Sequence, residues 1–109
     1  MRTGRINIDG KEYTLARSLW ASSKIEELPK GMGVIRTGMS ILAILLEAGY
    51  KLAKRDGDEP LQPPTLEELL VNHDEEDLAG WKTVITDVMH GDRNVVATPP
   101  KKKEEQPEA

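Results

Sequence analysis

The sequence predicts a mainly α-helical, small α+β protein: an N-terminal β-hairpin, then a compact bundle of about four helices, then a disordered charged tail. Three observations carry that expectation. Two alternating runs flank Asp9-Gly10 near the N-terminus, the stretch from Met32 to Lys54 is apolar at helical spacing, and the chain from Thr98 onward holds too little apolar surface to offset its own ordering. Residues 1–91 are therefore expected to form one globular domain and residues 92–109 a flexible tail. With 109 residues, 38% of them hydrophobic, there is material for one modest core and no second domain.

Arg5-Ile6-Asn7-Ile8 and Lys11-Glu12-Tyr13-Thr14-Leu15 alternate around Asp9-Gly10, a favoured two-residue turn. Closing the hairpin there sets Ile8 opposite Lys11 and Ile6 opposite Tyr13. A lone hairpin is marginal in water, so it must dock on the helices or on another chain. Ala16 to Leu28 follows as a helix, with Ser18 as a candidate N-cap and Leu19, Trp20, Ile25 and Leu28 as its apolar residues, ended by Pro29-Lys30-Gly31.

The central helix carries two apolar rows. Met32, Ile35, Met39, Leu42, Leu46, Gly49 and Ala53 recur at steps of three and four, and Ile41, Leu45, Ala48 and Leu52 form a second row about 100° away. Arg36, Ser40, Glu47, Lys51 and Lys54 are left as a narrow polar strip. Gly49 lies on the first row although glycine costs a helix about 1 kcal/mol relative to Ala, which points to close approach of another helix. Asp56 to Pro64 is an exposed connection. Thr65 and Glu68 have capping-box spacing ahead of Leu66, Leu69 and Leu70. Asp74 to Asp77 opens a last helix whose buried face is Leu78, Trp81, Ile85 and Val88, with Gly91 closing it. Val95-Val96 has the makings of a short edge strand.

Several function classes lose support from composition alone. The absence of cysteine excludes disulfides, thiolate metal sites and cysteine nucleophiles. Net charge is −4, and Lys101 to Lys103 are balanced by Glu104, Glu105 and Glu108, so nucleic-acid binding is not expected. The N-terminus has no apolar run of signal type and MSILAILLEAGY is too short to span a bilayer, which together point to a soluble intracellular protein with no membrane partner.

His73 and His90 lack the companions of a zinc site, Asp56, Asp58 and Glu59 lack the spread of an EF-hand loop, and Ser22, Ser23 and Ser40 lack a paired base. No phosphate-binding glycine loop occurs either. The expectation is therefore no enzyme, no cofactor and no metal.

What remains is apolar surface. Either the second row of the central helix is core, or it serves a partner, and Ile41, Leu45 and Leu52 with Trp20 are the candidate partner-binding residues. On the partner reading, Leu45→Glu abolishes association and leaves the helices intact; unfolding would assign the row to the core.

The order of parts, INIDGKEYTL, a short helix, SILAILLEAGYKLAKR, TLEELL, DEEDL and a charged tail, resembles the tail assembly chaperones of long-tailed bacteriophages and prophages over roughly Ile6 to Gly91. The resemblance lies in layout, without an invariant motif, and transfers no site residues. It implies a helical protein of the host bacterial cytoplasm. Such a protein binds and solubilises the tape-measure protein, helps the tail-tube protein assemble around it, and is absent from the mature virion. It also implies a longer product made by ribosomal frameshifting, with which Thr98-Pro99-Pro100-Lys101-Lys102-Lys103 is compatible. Self-association stays open. The alternative from another class is a small helical adaptor or regulatory protein, antitoxin-like, that binds a folded protein partner.

Overall fold

A computed structural model describes residues 2–90 of the chain. The expectations placed on Gly91, on Val95-Val96 and on the tail lie outside the described residues. The elements run β1 (Arg2–Ile8), β2 (Lys11–Arg17), α1 (Leu19–Glu26), α2 (Val34–Arg55), α3 (Leu66–Asn72) and α4 (Glu75–His90), which is the hairpin and four helices expected.

The hairpin closes through Asp9 and Gly10, both at positive φ (55° and 83°), as a primed two-residue turn requires. Its register pairs Ile8 with Lys11, Ile6 with Tyr13 and Gly4 with Leu15. Asn7 Oδ1 accepts a hydrogen bond from the Gly10 N–H at 3.1 Å, which holds the turn from its side. Successive strand residues face opposite ways, so the complete burial of both Leu15 and Ala16 means that β2 is covered on both faces there. Ala16 and Arg17 thus belong to the strand and not to the first helix as the sequence had indicated. That helix starts after Ser18, whose Oγ accepts from the Ala21 N–H at 3.2 Å.

α2 is the hub, touching β2, α1, α3 and α4. Leu42, Leu45 and Leu46 are fully or almost fully buried, each burial contributing about 1.5–3 kcal/mol. The buried set Met39, Ser40, Leu42, Leu45, Leu46, Ala48 and Gly49 draws on both apolar rows. Ser40, placed on the polar strip from sequence, is only 5% exposed. The rest of the strip, Arg36, Glu47, Lys51 and Lys54, is exposed, with Glu47 and Lys51 as a pair 3.9 Å apart that is worth little in water.

Gly49 explains itself by a closer neighbour than the helix its spacing had suggested. A Cβ at this position would stand 1.9 Å from the Thr14 carbonyl oxygen and 2.6 Å from its carbon, so α2 lies directly on the backbone of β2. α2 ends in a Schellman motif: the Asp58 N–H donates to Ala53 O and the Gly57 N–H to Lys54 O, with Gly57 at φ 89°.

α3 opens on the expected capping box, with Glu68 N–H donating to Thr65 Oγ1 at 3.2 Å and Thr65 N–H to Glu68 Oε1 at 2.9 Å. A second reciprocal pair, Asp74 with Asp77, opens α4. α4 buries Leu78, Ile85 and Val88 and lies against β1, where a Cβ on Gly4 would meet Val88 Cγ2 at 2.7 Å. Gly80 has no such reason: nothing lies within 4 Å of its missing Cβ. Gly80→Ala should therefore stabilise the protein by about 1 kcal/mol through helix propensity alone, read as a higher thermal midpoint.

His73, at the α3–α4 junction, ties the helices to the hairpin turn. Its Nδ1 lies 3.1 Å from Leu69 O and its Nε2 3.1 Å from Asp9 Oδ2, and its ring meets Trp81 edge-on at 4.9 Å. Trp81 in turn donates its indole N–H to Asn7 O at 3.3 Å. With a side chain only 5% exposed, His73 is no surface residue but a clasp. His73→Ala should cost about 2 kcal/mol in denaturant unfolding, from the lost ring N–H hydrogen bond and the ring packing.

Candidate functional site

Part of the apolar surface that the core does not consume, Val34 and Ile35 included, lies between the N-terminal half of α2 and the length of α4, while Leu19, Leu61 and Val71 are exposed elsewhere. Leu78, Lys82, Ile85 and Met89 follow one another along α4 at helical steps, and Val34, Ile35 and Ile41 face them from α2. The two helices come together at Gly38, where the Leu78 Cδ1 atom lies 3.8 Å from the position a Cβ would take. Because Gly38 and Ala79 carry little or no side chain, the surface is a groove rather than a ridge.

The groove has a volume of about 730 Å³ and is open along its length. From Glu75 to His90 it follows about 22 Å of helix, roughly four turns at 1.5 Å per residue. Val34 is 80% exposed and Ile35 46% exposed, so these aliphatic side chains are in water when the chain is alone. Glu75, Lys82, Thr86 and His90 stand among the apolar residues and give the walls a polar margin. An elongated apolar trough between two helices is shaped to take a third helix by its own apolar stripe.

Of the four residues singled out from sequence, only Ile41 lines this groove. Leu45 is a correction: it is completely buried within the chain and unavailable to any partner. The row to which it belongs turns inward at its centre because α2 is enclosed there by several elements at once. Leu52 and Trp20 are half-buried against the core, and Lys51 Nζ covers the Trp20 ring at 5.1 Å, a cation–π contact within the chain. They are not part of the groove.

Sequence reasoning missed Val34, Ile35 and Met89. Ile35 had been read as core because it continues the Met39–Leu42–Leu46 row, but that row outruns the elements packed against it. The available signal was the pair of small residues at 38 and 79, which mark where two helices approach and leave a floor without side chains.

Among the described residues no three His, Cys, Asp or Glu side chains converge as a metal site would need, and no helix is long and apolar enough to cross a membrane. Comparison with protein-family models, with curated proteins and with solved structures finds no match to this chain.

Proposed function

We propose that this protein is a helix-binding chaperone of the tail-assembly kind. On this reading it holds the tape-measure protein of a long-tailed bacteriophage in solution in the host cytoplasm, while tail-tube subunits assemble around it. The observation that carries the reading is the open apolar groove between α2 and α4, bearing Val34, Ile35, Ile41 and Met89. A contiguous apolar trough on a small charged chain is costly to keep in water and is expected where a partner covers it. A long helical client offers a stripe of aliphatic side chains at i, i+3, i+4 and i+7 spacing, the complement of such a trough. Charged residues, 31% of the chain, keep the free chaperone soluble.

The test is co-expression with the protein encoded immediately downstream, followed by size-exclusion chromatography with light scattering. The reading expects a long helical product that is soluble only with this chain and co-elutes with it. A product that is soluble alone and elutes separately contradicts it.

A further inference from the structure

The α4 wall of the groove carries a stripe of its own. Glu75, Ala79, Lys82 and Thr86 all line the groove and recur along the helix at helical steps, which sets them on one side of it. All of them are exposed. α4 is therefore both a wall of this groove and a ridge able to enter another. Glu75 and Lys82 stand about two turns, or about 10 Å, apart along the axis. Neither has an ion-pair partner among the described residues.

Two-fold symmetry turns that spacing into complementarity. In an antiparallel pair of α4 helices whose axis passes between Leu78 and Ala79, Glu75 of each copy comes opposite Lys82 of the other, so one stripe supplies two ion pairs. An isologous interface has to be self-complementary in this way, and a stripe of one charge sign could not be. The centre of the stripe suits close approach, because Ala79 carries only a methyl group and Gly38, on the facing wall, carries no side chain. The other acids of the helix start, Glu76 and Asp77, lie about 100° and about 200° round the helix from Glu75 and stay clear of the contact.

We propose that the groove of the free protein is occupied by a second copy of this chain, each α4 lying antiparallel in the groove of the other and fixed by reciprocal Glu75–Lys82 ion pairs. The pairing takes the exposed aliphatic side chains of Val34 and Ile35 out of water without a client. A client then enters by displacing one copy. Only that displacement rests on the reading of the groove as a client surface; the pairing stands without it.

The experiment is sedimentation equilibrium of the full chain alone, over concentrations up to about 1 mM. The mass should rise with concentration from 12.1 kDa to twice that value. Glu75→Lys and Lys82→Glu, both at exposed side chains, should each remain monomeric with the helical circular dichroism intact, although they move the net charge in opposite directions. An equal mixture of the two variants should regain the dimer, because each then meets its opposite at both positions, and so should a chain carrying both substitutions. Glu76→Lys, the same charge change off the stripe, should dimerise as the unsubstituted chain does. A chain that is monomeric at every concentration would overturn the proposal, whether the groove stands open or is filled by the chain itself. So would a dimer that survives either single reversal, single variants that stay monomeric when mixed, or a dimer lost on Glu76→Lys. A failed co-expression test would leave a measured dimer in place, and a monomeric chain would leave the client test in place.

Discussion

Gly49→Ala is expected to be among the most damaging single-methyl additions in this protein. The added carbon would stand 1.9 Å from the Thr14 carbonyl oxygen and 3.2 Å from the Leu15 nitrogen. Neither neighbour is a side chain that can rotate away. Relief requires α2 to lift from β2, and that movement opens the packing around Leu15, Leu42, Leu45 and Leu46. Overpacking against side chains costs about 1–3 kcal/mol, and a backbone clash belongs at or above the upper end, about 3 kcal/mol. For a domain of this size that lowers the thermal midpoint by about 10–20 °C. The helix-propensity gain of about 1 kcal/mol on replacing glycine is too small to offset it. Calorimetry of Gly49→Ala beside Gly80→Ala decides the point, since the two substitutions add the same atom to a helix and should move the midpoint in opposite directions.

The second large effect separates core from binding surface on α2. Leu45→Glu should unfold the protein, because it sets a carboxylate at a position with no solvent exposure and removes a fully buried aliphatic side chain. The cavity term alone for such a leucine is about 2–5 kcal/mol, comparable to the whole stability of a small domain. Ile41→Glu lies one turn earlier on the same row, but at the half-buried wall of the groove, where the new carboxylate can reach water. It should retain the helical circular dichroism signal and lose the client. Equal unfolding of both variants would mean that Ile41 is core as well; equal folding of both would contradict the burial of Leu45.

Most of the architecture was legible in the sequence, and for local reasons. The Asp9-Gly10 turn, the Ser18 cap and the Thr65–Glu68 box act within three or four residues, so their chemistry can be read without tertiary knowledge. The buried face of α4 followed from periodicity. The candidate site was far less legible, because it depends on which apolar residues run out of neighbours. Ile35 and Leu42 look equivalent along the row, yet one is 46% exposed and the other fully buried. Gly49 signalled close approach correctly but not its partner, since a glycine marks that something comes near and does not distinguish a strand from a helix. Nothing in the sequence signalled the burial of His73, because its contact with Asp9 joins positions far apart in the chain.

The central claim is that the α2–α4 groove is the client-binding surface. It is tested most directly by placing a photo-crosslinking amino acid at Val34 or at Val71 in the complex co-purified with the downstream protein. Both positions are strongly exposed, at 80% and 71%, and only Val34 lines the groove. Efficient crosslinking to the client from Val34 with little from Val71 is the predicted result. Equal yields from both, or a product from Val71 alone, would contradict the assignment of the groove.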